Sequence, residues 1–308
     1  MLFLALVACK APPEAPSGLD DSTTFVLRNF YADDATFQAG MQGFLDWYET
    51  DGVALLGEEA NLDTVGAFTV GDLTAEDIAH LPVVDEILVD PDDGTREPRD
   101  LSRAKGVISL AEMDCDWKTA EALLVRPDQD VVFNGDWDGY QREYVTSRQA
   151  FEDATANGDY TRIPDPLDPF VDSFDGADTE STLLLTYNTV DPSPVLTSNL
   201  ENYEMHLDLR HGEFDLGDGE TVSGFAIITY AIDAAWGGGG TNALLQSFSV
   251  EVNVERPNNK TLRMLSVWSE PKGTGVDPES NLTLNFAVNK ATASSERLSD
   301  ICSGEIEI

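Results

Sequence analysis

Basic side chains and histidines are scarce in this sequence. Its 308 residues include 18 Lys and Arg against 57 Asp and Glu, which gives a formal net charge of −39, and there are only three His. A surface with this charge repels nucleic-acid phosphates, so we expect no nucleic-acid partner. Three histidines supply few general bases or metal ligands. The composition favours a salt-tolerant extracytoplasmic surface, with specific calcium binding as the alternative.

The motifs of common enzyme classes are also absent. There is no G-x-S-x-G elbow, H-E-x-x-H helix, C-x-x-C pair or phosphate-binding glycine loop in the chain. Pairs of carboxylates carry no information here, because 57 acidic residues produce such pairs by chance. We therefore predict no catalytic residue, and an enzyme is the less favoured class.

The apolar run Leu2–Cys9 is too short to span a bilayer, which takes about 20 residues. Its length matches the apolar part of a signal peptide, about 7–15 residues. The residues that end this run, Leu6-Val7-Ala8-Cys9, resemble the lipobox of bacterial lipoproteins. The resemblance implies cleavage before Cys9, a lipid on its thiol and, because Lys10 follows, an outer-membrane location in the cell envelope. The alternative is an apolar leader followed by an ordinary cysteine.

Cysteine is rare, and the sequence contains only Cys9, Cys115 and Cys302. If Cys9 carries a lipid, the other two thiols remain to pair in an oxidising compartment. We therefore predict a disulfide between Cys115 and Cys302, with two unpaired buried thiols as the alternative.

Composition divides the chain into five predicted segments. Residues 1–8 are the remnant of a signal peptide, and residues 9–24 are the lipidated cysteine with an extended tether. A mixed α/β region covers residues 25–162. Pro and Asp dominate a predicted linker over residues 163–182, and a β-rich region covers residues 183–308.

Hydrophobic periodicity predicts an α+β fold. Helical spacing indicates several short helices in the first half of the chain. In the second half apolar and polar residues alternate, which is typical of antiparallel strands with one buried face. The clearest such strands are residues 203–209, 248–254 and 282–288. Over residues 262–267 the alternation shifts by one position, which predicts a β-bulge.

An acidic turn supplies a candidate calcium site. The candidate ligands are Asn134, Asp136 and Asp138. With Gly139 they repeat the first half of an EF-hand calcium loop, but Val145 stands where that loop has its bidentate Glu. We place them in a hairpin loop between strands at residues 131–133 and 140–145. A plain turn without metal is the alternative, since Asn, Asp and Gly also favour turns.

Two aromatic and two polar side chains are candidate ligand contacts. They are Trp137, His206, Asp208 and Trp236. The two indole rings fall in predicted loops, where they can stack on sugars. His206 and Asp208 share the polar face of one predicted strand, close to His211. That arrangement fits a transition-metal site or, as the alternative, a solvated polar face.

Three hypotheses follow from these observations. The favoured one is an exported, lipid-anchored envelope lipoprotein with a non-catalytic structural or partner-binding role. The second is a calcium-assisted glycan-binding module with polar strand faces that contain Asn253, Thr283, Asn285 and Asn289. The third is an extracytoplasmic hydrolase that uses carboxylates or His206. The expected partners are a membrane, reached through the N-terminal lipid, and an envelope protein or a glycan.

Overall fold

The computed structural model describes residues 12–56, 66–145, 148–149, 152, 182–193, 200–215, 221–273, 277 and 279–308. Cys9 and residues 163–181 of the predicted linker lie outside the described residues.

Helices and strands alternate in the first half of the chain, and strands dominate the second half up to a long final helix. The helices are α1 (Ser17–Arg28), α2 (Asp34–Trp47), α3 (Val53–Leu56), α4 (Ala75–Ile78), α5 (Trp117–Val125), α6 (Gln129–Val132) and α7 (Asn281–Ser303). A π-helix at Tyr48–Gly52 and a 3₁₀ turn at Leu101–Arg103 are also present. The strands are β1 (Gly66–Val70), β2 (Glu86–Asp90), β3 (Thr95–Pro98), β4 (Lys105–Met113), β5 (Trp137–Tyr144), β6 (Thr182–Pro192), β7 (Tyr203–Asp215), β8 (Thr221–Tyr230), β9 (Ala235–Trp236), β10 (Ala243–Arg256) and β11 (Lys260–Lys272).

One antiparallel sheet organises the molecule. Its strand order is β1-β4-β11-β10-β8-β7-β6-β5, with β9 paired to β10, while β2 and β3 form a separate hairpin. This architecture confirms the predicted α+β fold with a mostly antiparallel sheet. Strands from both sides of the predicted linker contribute, because β1, β4 and β5 precede it and β6 to β11 follow it.

Helices α1 and α2 cover one face of the sheet. Arg210 on β7 shows how closely they pack, since its guanidinium donates to the carbonyls of Phe30 (2.6 Å) and Ala32 (2.8 Å) and lies 4.1 Å from the centre of the Phe37 ring. Arg210 and Asp208 are only 1% and 2% exposed. The prediction of a solvated polar face is therefore wrong for Asp208, which is buried beneath the helices, whereas Glu204 at the start of the strand is exposed.

Residues within the predicted tether belong to the folded part of the chain. Glu14 pairs in parallel with Thr69 at the edge of β1, and α1 starts at Ser17 with Leu19 fully buried. The prediction of an extended tether as far as Thr24 is wrong from this point on. One buried leucine in a polar stretch gave little periodic signal for a helix.

Helix α7 covers part of the opposite face. The predicted strand at residues 282–288 is wrong, because Ser280 caps a helix there by accepting from the Thr283 N–H at 3.2 Å. Its buried positions, Val288, Ala291, Ser295 and Leu298, recur every three or four residues, as a helix requires. Among the described helices, none is both long enough and apolar enough to cross a membrane.

A disulfide ties the end of α7 to the start of α5. Cys115 lies two residues before α5, Cys302 lies in the last turn of α7, and their sulfur atoms are bonded. The predicted pairing is confirmed. The bond closes a sequence separation of 187 residues and fixes the carboxyl end of α7 against the sheet.

Two smaller predictions about strands are also wrong. Residues 131–133 do not form a hairpin with β5, whose partner is β6. Gln129 and Val132 instead belong to α6, where the Gln129 amide donates to the Leu123 carbonyl at 2.9 Å. β11 has no bulge over residues 262–267, because its pairing with β10 keeps one register there.

Candidate functional site: a cavity beneath helix α7

A cavity of about 480 Å³ lies between the sheet and helix α7. Strands β7, β8, β10 and β11 form its floor, and the first half of α7 forms its roof. Residues of α5, α6 and β5 close one side. The cavity is on the face of the sheet opposite α1 and α2.

The walls of the cavity are mainly apolar. On the sheet side they are Met205, Leu207, Ile227, Leu265 and Val267, and on the helix side they include Phe286, Ala287 and Ala291. The strand residues alternate with others that face α1 and α2, such as Met264 on β11. The alanines explain why space remains, since longer side chains at these positions of α7 would fill it.

A charged pair lies at one end of the cavity. Arg263 donates from Nε to Glu251 Oε1 at 2.8 Å and from Nη2 to Oε2 at 2.9 Å. Its third nitrogen, Nη1, donates to Ser294 at 3.1 Å and Ser295 at 2.8 Å on α7. Arg263 is 1% exposed and Glu251 6% exposed. Burying two charges is costly unless each is paired and hydrogen-bonded, as both are here.

Further charged groups lie at the sides of the cavity. Lys290 on α7 forms an ion pair with Asp136, which follows α6. Lys272 donates to the carbonyl of Val89 at 2.8 Å and lies 4.6 Å from the centre of the Trp236 ring. The cavity therefore has an apolar middle between polar groups, which suits a mostly apolar ligand with few polar atoms.

The structure separates the four predicted ligand contacts. Trp137 lines the cavity. Trp236 packs beside the β2–β3 hairpin and donates to the Leu88 carbonyl at 3.1 Å. His206 and Asp208 lie on the other face of the sheet, where Asp208 accepts from Tyr31. Of the four, only Trp137 lines the cavity, and a ligand role for the other three stays a prediction.

Aromatic neighbours surround His206. Its ring stacks on Tyr230 at 5.0 Å and meets the edge of Tyr187 at 5.4 Å. Burial lowers the pKa of His206, although nearby Glu204 acts in the opposite sense. The pKa of Tyr31, which donates to Asp208, is raised well above its usual value by burial. The hydrogen bond between Tyr31 and Asp208 holds the end of α1 against the sheet.

The remaining histidines are also packed into the fold. His211 Nδ1 is 2.9 Å from Glu121 Oε1, and both side chains are buried between β7 and α5. Burial lowers the pKa of His80 to about 4, although nearby Asp77 acts in the opposite sense. Among the described residues that line the cavity, none is His or Cys.

The predicted calcium ligands have other partners. Asp136 pairs with Lys290, and Asp138 accepts from Ser193 at 2.5 Å. Asn134 lies in the turn between α6 and β5, where it bridges to Trp137. Among the described residues, no group of three or more His, Cys, Asp or Glu side chains is arranged to hold a metal ion. Calcium binding at this turn stays a prediction.

Comparisons with known proteins give similarity to solved structures alone. No family model matches the chain, and no curated protein matches it. Human StAR-related lipid transfer protein 5 is similar at 11% identity with a TM-score of 0.40, over 89% of this chain and 98% of that one. A STAR-related lipid transfer protein fragment from Xanthomonas axonopodis gives 11% identity and a TM-score of 0.38, over 71% and 99% of the two chains.

A third similar structure is the human StarD13 (DLC2) lipid transfer and protein localization domain. It gives 10% identity and a TM-score of 0.36, over 67% of this chain and 82% of that one. At these scores the similarities support no statement about function. The case for a function therefore depends on the cavity itself.

Proposed function

We propose that this protein is an exported, lipid-anchored envelope protein that binds an apolar, lipid-like ligand in the cavity beneath α7 and does not transform it. The observation that carries the ligand part is the cavity. The lipobox resemblance at Leu6-Val7-Ala8-Cys9 supports the anchor.

Packing physics supports a ligand in this space. Protein interiors are close-packed, and most domains hold few voids larger than a water molecule. Ligand pockets typically enclose about 300–1,000 Å³ behind mainly apolar walls. The volume of about 480 Å³ beneath α7 falls within that range. A space of this volume with mainly apolar walls therefore favours a role in binding.

The polar groups define the chemistry of the ligand. Apolar walls favour a hydrocarbon body, because removing it from water yields about 25 cal/mol per Å². Glu251 and Arg263 at one end of the cavity offer an acceptor and a donor to one polar group of the ligand. Their charges cancel, so a neutral hydroxyl or carbonyl fits this end better than a full charge.

A cavity-filling substitution tests the proposal. Ala287→Trp places an indole in the cavity, whereas Leu282→Trp adds the same ring on α7 at a position that is 64% exposed. Binding of an environment-sensitive fluorescent fatty alcohol should be saturable in the natural chain and in the Leu282→Trp control. It should weaken at least tenfold in Ala287→Trp, with circular dichroism unchanged.

Equal binding by the two variants would refute the cavity as the binding site. The anchor is tested separately, by mass spectrometry of the mature protein from a bacterial host. We expect an N-terminal peptide that begins at Cys9 and carries a lipid mass. A peptide that begins at Met1 with a free thiol would refute it.

A further inference from the structure

We infer that the proposed anchor at Cys9 holds the β1 edge of the sheet directly against a bilayer surface, with almost no free tether. This inference depends on the anchor part of the proposed function. The interaction surface is the β1 edge, and its partner is a lipid surface with zwitterionic or neutral head groups.

The N-terminal segment is fixed to the sheet edge as soon as the described residues begin. The Thr69 N–H donates to the Pro13 carbonyl at 2.6 Å, and the Ala15 N–H donates to the Thr69 carbonyl at 2.6 Å. These bonds add Glu14 as a short parallel extension beside β1. Helix α1 follows at once, with Leu19 fully buried.

Covalent geometry then limits the reach of the anchor. Only Lys10 and Ala11 separate Cys9 from Pro12. A fully extended chain covers at most about 3.6 Å per residue, so the Cα atoms of Cys9 and Pro12 are no more than about 11 Å apart. A lipid on Cys9 therefore holds the β1 edge within about one head-group layer of the membrane.

The charges near the β1 edge determine which kind of lipid surface it can contact. Glu14, Asp21 and Asp72 are exposed there, and Lys105 is shared between Asp72 (3.1 Å) and Glu279 (3.5 Å). The whole chain carries a formal net charge of −39. An anionic leaflet repels such a surface within a Debye length of about 8 Å. A zwitterionic or neutral surface removes this repulsion.

Energy transfer from two labelled positions to head-group-labelled vesicles tests the inference. A protein that begins at Cys9 is coupled through the Cys9 thiol to a maleimide lipid. Cys9 is the only cysteine outside the disulfide, so the coupling is specific. A fluorophore is attached through p-azidophenylalanine at Asp72, beside β1, or at Glu143 on β5 as the matched control. β1 and β5 are the two ends of the strand order. Seven strand spacings of about 4.8 Å place them about 34 Å apart along the sheet.

On phosphatidylcholine vesicles, transfer from position 72 should exceed that from position 143 at least threefold. A 20-residue Gly-Ser spacer inserted between Ala11 and Pro12 should abolish the difference, because its end-to-end distance is about 25 Å. Equal transfer from both positions without the spacer would overturn the inference, as would a difference that survives the spacer.

The lipid composition of the vesicles tests whether the β1 edge prefers a zwitterionic or neutral surface to an anionic one. Replacing phosphatidylcholine by phosphatidylglycerol at low salt should reduce transfer from position 72 at least twofold, and 0.5 M NaCl should restore it. No reduction would overturn the assignment of a zwitterionic or neutral surface. The chemical coupling makes these results independent of acylation in the cell, which mass spectrometry reports. They are also independent of fatty-alcohol binding, which is measured on the unlipidated chain.

Discussion

Removing one member of the buried Glu251–Arg263 pair should destabilise the protein far more than removing both. Arg263 is 1% exposed and makes two hydrogen bonds to Glu251, at 2.8 and 2.9 Å. Arg263→Met leaves the carboxylate buried without its counter-charge, which typically costs about 3–5 kcal/mol. Glu251→Leu combined with Arg263→Met leaves no uncompensated charge, so we expect the double variant to recover at least about 2 kcal/mol relative to Arg263→Met.

The measurement is the free energy of unfolding from urea denaturation of the natural chain, both single variants and the double variant. Parallel unfolding slopes establish that the transitions are comparable. A double-mutant cycle then gives the coupling between the two side chains. A cost below about 1 kcal/mol for Arg263→Met, or additive effects in the cycle, would refute the view that this pair is buried and mutually dependent.

Three further predictions concern stability. Reducing the disulfide, or replacing Cys115 and Cys302 by Ala, should lower the free energy of unfolding by up to about 5 kcal/mol, measured in urea with and without reductant. His80 has a pKa of about 4 in the folded state against an ordinary value of 6.5, so protonation favours the unfolded chain. The free energy of unfolding should therefore fall as the pH drops from about 6.5 towards 4. His80→Leu should reduce this fall by on the order of 2 kcal/mol. Identical pH profiles for the natural chain and His80→Leu would contradict the low pKa of His80. Because the net charge is −39, the melting temperature should rise between 10 mM and 1 M NaCl, and a fall would show that self-repulsion is unimportant.

Much of the sheet could be predicted because its strands have one clear period. Residues 203–209 and 248–254 alternate as expected, and both are strands. The same pattern failed for the polar face of β7, where Asp208 and Arg210 are buried under α1 and α2. Alternation cannot distinguish water from a layer of helices that supplies hydrogen-bond partners.

The cavity left a signal in the sequence that was interpreted incorrectly. The shift of apolar residues over 262–267 predicted a bulge, whereas β11 keeps its register and is apolar on both faces. Leu262 and Met264 pack against the core under α1 and α2, and Leu265 and Val267 line the cavity. A strand with two apolar faces in an antiparallel sheet indicates burial on both sides.

Helix α7 is an element that hydrophobic periodicity failed to identify. Its first turns alternate like a strand, and apart from Phe286 the side chains that roof the cavity are small or polar, including Ala287, Ala291 and Ser294. A helix that faces a cavity lacks the apolar stripe by which helices are recognised. The charged pair at the end of the cavity was also missed, because Glu251 and Arg263 resemble surface residues in a sequence rich in charge.

Native mass spectrometry after incubation with a long-chain fatty alcohol tests the central claim most directly. The natural chain and Leu282→Trp should each retain one lipid-mass adduct per chain, and Ala287→Trp should retain none. No adduct on the natural chain, or equal adducts on all three proteins, would contradict a ligand-binding cavity beneath α7.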